Sequence, residues 1–143
     1  MLALFAADVT AVQIEARTGA SFRAVRNRIS NLRQKLGART TPQTIDIACR
    51  TGLLVPPRGV LRAPISVTAL TSFQALAEGD ARTVIANSRN ISKHTVAKHV
   101  EVVRGRMRAS WNAAAVYRLH GVVPAVLKAT FPPCPVCAAA GAS

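Results

Sequence analysis

The chain has 143 residues, enough for one ordinary domain or two small ones, and carries 19 Lys+Arg against 6 Asp+Glu for a net charge of +13. Half of it is hydrophobic, which excludes a disordered basic arm and lets a core form; six scattered acids leave little from which to build an acid–base active site. So large a cationic excess attracts polyanions, nucleic acid first and an anionic membrane surface second.

Residues 2–7 are apolar and read as the end of a helix that begins at or before Met1. No basic segment precedes them and Asp8 interrupts them, so no signal peptide is predicted. No window reaches the roughly 20 apolar residues of a membrane span. Three cysteines make no disulfide framework, and a reducing cytoplasm is the expected compartment. Residues 10–17 carry Val12 and Ile14 and predict a short helix stopped near Gly19. Ser21 is the N-cap of a longer helix reaching Leu36, with Gly37 as its C-terminal glycine. Thr41-Pro42 signals the next start, with Thr41 as N-cap and Pro42 as first helical residue; Gly52 ends that helix. The segment 55–64 holds three prolines and a glycine and reads as a linker or folded-over connector.

The order then repeats. Residues 67–77 predict helix one of a second set, ended by Glu78-Gly79, and 81–88 predict helix two. Asn90-Ile91 is the turn, Ser92 caps helix three to about Arg108, and 112–120 form helix four, stopped by Gly121. Gly105 lies inside helix three, where it costs about 0.5–1 kcal/mol relative to Ala. Val25, Ile29, Leu32 and Leu36 have counterparts at one constant offset in Val96, Val100, Val103 and Met107, and the same offset takes Ile14 to Ile85 and Ser21 to Ser92. One supersecondary unit therefore occurs twice. The expected fold is all-α: a first unit over 1–54 truncated at helix one, a Pro-rich linker over 55–64, a second unit over 65–123, and a tail over 124–143 expected to be disordered. Aromatics are only 4%, so each core is shallow and each unit marginally stable alone.

Two short helices joined by a tight turn make a helix-turn-helix, whose second helix lies in the DNA major groove and reads bases from its early turns. In the first unit the face opposite the apolar stripe is Arg23, Asn27, Ser30 and Gln34, flanked by Arg26 and Arg33. Arg pairs bidentately with guanine and Asn with adenine. In the second, the outward face is His94, Lys98, Glu101 and Gly105, flanked by Ala97 and Arg104; Lys reads guanine and Glu accepts from cytosine. Lys35, Arg39, Arg106 and Arg108 suit phosphates, which position without specifying, and Lys93 and Thr95 complete the candidate DNA-binding set.

These residues resemble the helix-turn-helix of LuxR-type regulators. That family's pattern is matched by Ile85-Ala86, Ile91-Ser92, Thr95-Val96 and His99, with Ala97 at its Lys position. The segment 14–54 resembles it as well: Lys35-Leu36-Gly37 and Gly52-Leu53-Leu54 match the family's tail, Arg26 sits at the Lys position, Ala24 replaces the Thr and Arg28 the His. The resemblance implies four-helix units whose third helix enters the major groove, with Arg26, Asn27 and Ser30, and Ala97, Lys98 and Glu101, facing bases. It also implies that the fourth helices, 41–51 and 112–120, form the dimer contact, so that two fused copies can pair within one chain. Recognition helices about 34 Å apart then lie along one face of double-stranded DNA, and the stretch 53–64, at about 3.3 Å per residue, is long enough to permit it.

The plainer readings are these. His94, His99 and His120 are surface or phosphate-contacting residues. Cys134 and Cys137 form a lone CxxC, short of the roughly four ligands of a structural zinc site, and default to reduced thiols. Trp111 and Tyr117 pack helix four. No metal, cofactor or enzymatic activity is expected. The expected function is a sequence-specific, DNA-binding transcriptional regulator without a sensor domain. Its rivals are an adaptor docking on RNA polymerase or another regulator, and a non-specific nucleoid or RNA-binding protein.

Overall fold

The computed structural model describes residues 2–59, 61 and 63–122; the tail over 124–143, with its CxxC, lies outside them. The described residues form eight helices and no strand: α1 (Leu2–Ala6), α2 (Ala11–Thr18), α3 (Phe22–Lys35), α4 (Thr41–Arg50), α5 (Val67–Ala77), α6 (Arg82–Arg89), α7 (Lys93–Arg106) and α8 (Asn112–Gly121). The protein is therefore all-α. None of these helices is long and apolar enough to cross a membrane.

The repeat governs the helix bounds. The offset that takes Ser21 to Ser92 carries both ends of α2, α3 and α4 onto those of α6, α7 and α8, and the end of α1 onto that of α5. Local chemistry explains the agreement. Ser21 and Ser92 each accept the backbone N–H three positions on, from Ala24 and Thr95, as N-cap oxygens do. After α2 and α6 the chain turns left-handed at Gly19 (φ 68°) and Asn90 (φ 53°), residue types that tolerate the conformation. The α7 helix ends at Arg106, slightly short of the predicted Arg108, because Arg108 itself takes a left-handed φ of 51° where the first repeat has Gly37. Thr40 rather than Thr41 caps α4: its hydroxyl accepts from Gln43 N, so Thr41 is the first helical residue. Pro42 still falls where a missing N–H costs nothing.

The two repeats share one core. It runs from Ala6, Ile45, Ala48 and Cys49 of the first into Leu70, Phe73, Ile85, Val96, Val103 and Val116 of the second. The main joint is α4 against α8. α8 carries Ala113, Ala114 and Ala115, all buried, small side chains that let packed helix backbones approach closely. Around this joint the packing exchanges roles: α4 also lies on α5, and α8 on α1. The helices 41–51 and 112–120, assigned the dimer contact by resemblance, thus bury their apolar faces on each other inside one chain.

Three aspartates stitch the joint. Asp46 on α4 is 3% exposed; its Oδ1 lies 2.8 Å from Nε2 of His120, and its Oδ2 accepts from Nε of Arg50 at 2.8 Å. Asp8 accepts from the backbone N and Oγ of Ser110 and pairs with Arg118. Asp80 pairs with Arg39, whose guanidinium also donates to the Glu78 carbonyl. His120 is therefore a buried joint residue and not a surface one, and His99 is half-buried, with Nδ1 2.9 Å from Ser72 Oγ.

The connector folds back rather than spanning open space. Gly59 N donates to the Gly121 carbonyl at 2.8 Å, and Tyr117 Oη donates to the Val55 carbonyl. A β-carbon at Gly121 would overlap the Pro57 carbonyl oxygen, so only glycine closes α8 here. Tyr117 is buried, and Trp111 stacks on Phe5 with ring centroids 5.4 Å apart, fixing α8 to α1.

Removing the Asp46 carboxylate takes away the acceptor shared by buried His120 and half-buried Arg50, which costs about 3 kcal/mol. Asp80→Ala, which breaks an exposed pair, costs under about 1 kcal/mol. Urea unfolding of Asp46→Ala beside Asp80→Ala measures the difference; equal losses would refute the assignment of the joint to Asp46.

Candidate nucleic-acid interface

The helices α3 and α7 are held by their apolar stripes and turn their polar faces out, but the two stripes differ. In α7, Val96, Val100, Val103 and the following Met107 are all buried. In α3 only Val25 is buried; Ile29, Leu32 and Leu36 are half-buried. The seam expected in the first repeat is thus only partly closed. The cause is coverage. α7 lies under α5, a helix of 11 residues, whereas the corresponding α1 has 5 residues and packs on α8 and α2. Ile14 and Val25 pack α2 on α3 away from the shared core, while Ile85 and Val96 belong to it. Val12 (73% exposed) and Phe22 (49%) remain open on this side.

The outward faces are where the helical period puts them. Arg23, Arg26, Asn27, Gln34 and Lys35 are exposed on α3, with Ser30 and Arg33 half-buried beside them. On α7, Lys93, His94, Lys98, Glu101 and Arg106 are exposed, and Thr95 and Arg104 are half-buried. Two of these side chains have partners that spacing did not reveal. The Arg26 guanidinium sits over the Phe22 ring, 5.7 Å from its centroid, one turn back on the same helix. The Thr95 hydroxyl is 2.9 Å from that of Ser92, which ties it to the helix cap. Arg39, expected at phosphates, serves the joint as well through Asp80, while the backbone carbonyl of Arg108, also expected there, accepts from Arg118 within the second repeat.

Electrostatically both faces carry a cationic excess, with Glu101 the one acid on α3 or α7. Among the described residues, none of Arg23, Arg26, Arg33, Lys35, Lys93, Lys98, Arg104 and Arg106 is in an ion pair; the aspartates that would neutralise them are committed to the joint. On the second repeat, Arg82 from the start of α6 joins His94, Ala97, Lys98, Glu101 and Arg104 around a shallow cleft of about 250 Å³. Arg82 is the functional candidate that sequence reading missed. Its signal was position: it is the first residue of α6, beside the outward face of α7. Among the described residues no group of three or more His, Cys, Asp or Glu can hold a metal ion. Compared with protein-family models, curated proteins and solved structures, the chain matches none.

The unequal seams make a prediction against side-chain size. Val103→Ala removes two fully buried methyls and costs about 2 kcal/mol, whereas Leu32→Ala removes more carbon from a half-exposed site and costs less. Chemical denaturation of both variants checks the order; a larger loss for Leu32→Ala would show that the first seam is as closed as the second.

Proposed function

We propose that this chain is a sequence-specific, DNA-binding transcriptional regulator in which α2–α3 and α6–α7 act as two helix-turn-helix units of LuxR-type character. One observation carries the reading. Both outward faces carry an excess of cationic side chains that form no ion pair, with Glu101 the one acid on α3 or α7, while the three aspartates engage the other repeat. A duplex supplies the missing charge at its phosphates, and its base edges suit the remaining side chains.

In this reading Arg26 and Asn27 read guanine and adenine in the first half of the site. Lys98 and Glu101 read guanine and cytosine in the second. Lys35, Lys93 and Arg106 hold phosphates, and Arg82 and Arg104 grip the backbone beside the α7 cleft. Phe22 braces the Arg26 guanidinium from below, which restricts its rotamers before DNA arrives. The place of action is then the chromosome. No cofactor enters the mechanism.

The exposed Val12 and Phe22 support a second reading, in which this side of the first repeat docks on a protein such as RNA polymerase or another regulator. Competition separates the two. Specific DNA binding survives an excess of random duplex; incidental DNA contact does not.

Replacing Arg26 and Asn27 together with alanine abolishes sequence preference in the first half of the site, keeps that of the second half, and leaves a salt-sensitive background in which log K falls linearly with log salt concentration. Fluorescence anisotropy on selected and scrambled duplexes measures both terms. Equal loss on the two duplexes would remove these residues from base readout.

A further inference from the structure

We infer that one chain reads a single non-palindromic DNA element made of two unlike half-sites, as a heterodimer built into one polypeptide. This rests on the DNA-binding reading above.

The packing of the repeats is an exchange. α4 contacts α8 and α5, and α8 contacts α4 and α1, the corresponding elements in reverse. The bonding loops exchange too. The turn after α1 reaches Ser110 through Asp8, and the turn after α5 reaches Arg39 through Asp80 and the Glu78 carbonyl. Arg39 and Ser110 occupy the same place in the two repeats, just before the fourth helix of each. Contacts that run i to j and j to i are the signature of a two-fold interface. Two-fold-related recognition helices meet DNA as inverted half-sites.

Identical subunits would make those half-sites identical, and here the readers differ at each base-facing position. Arg26, Asn27 and Ser30 stand where the second repeat has Ala97, Lys98 and Glu101. The chemistry of the first set suits guanine and adenine, and that of the second suits guanine and cytosine. The joint is asymmetric as well. Asp46 and His120 form its buried pair, while their counterparts are Tyr117 and Cys49, so the pair occurs once. No second chain is needed to complete the interface: every residue of α8 except Asn112 and Arg118 is already buried.

The test is selection from a random-sequence duplex pool by the full chain, followed by native mass spectrometry of the selected complex. One chain per duplex is expected, on a consensus of two unlike halves with centres about one helical turn, roughly 10–10.5 bp, or a multiple apart. Asn27→Ala, at an exposed helix position, lowers discrimination about tenfold in one half only, and Lys98→Ala does the same in the other half only. A palindromic consensus occupied by two chains, or a lone half-site indifferent to Lys98→Ala, overturns this inference and leaves DNA binding standing. No enrichment through the selection overturns DNA binding, and the inference with it.

Discussion

A carboxylate buried between two helices organises this molecule. Taking Asp46 out of water is costly, and only partners in good geometry offset that cost. It has two. Arg50 lies one turn along α4, and His120 comes from α8, far away in sequence. The first lies on the same helix as the carboxylate, and the second makes the solvation of that carboxylate depend on the meeting of the repeats. The small buried alanines of α8 let the helices packed around it come close. Apart from Ile14 and Val25 between α2 and α3, the buried apolar side chains of both repeats thereby form one cluster, and a larger core buries a larger share of the chain's surface.

The same commitment of acids shapes the surface. The three aspartates each engage the other repeat, through His120, through Ser110 and Arg118, and through Arg39. Aspartate charge is thus gathered at the joint and withheld from the outward faces of α3 and α7. A packing device becomes an electrostatic pattern: charge compensated at the centre, cationic excess on two separate helices. In the proposed function, this pattern attracts the duplex and the joint fixes how the two readers are presented to it.

Local features of the fold were legible in the sequence. The constant offset between the repeats, the caps at Ser21 and Ser92 and the glycine after α2 announce helix bounds because capping is a matter of near neighbours. The outward positions of Arg23, Arg26, Asn27, Lys98 and Glu101 follow from helical period alone. What escaped the sequence was long-range. Nothing near His120 signals that it meets Asp46, and a basic chain makes a surface histidine the natural reading. The open seam at Ile29 and Leu32 escaped for a similar reason: periodicity shows which side chains share a face, but not whether another helix is long enough to cover it. Thr40 and Thr41 are equally good caps on paper, and the fold's choice of Thr40 moved that start by one position.

Native-state hydrogen exchange on the free chain addresses the joint most directly. If α4 and α8 are parts of one cooperative body, their slowest amides exchange only through global unfolding, with equal free energies of opening that match the denaturant value. If α4 instead opens at a distinctly lower free energy while α8 stays protected, the repeats are independent neighbours. The fixed presentation of two unlike readers would then have no physical basis.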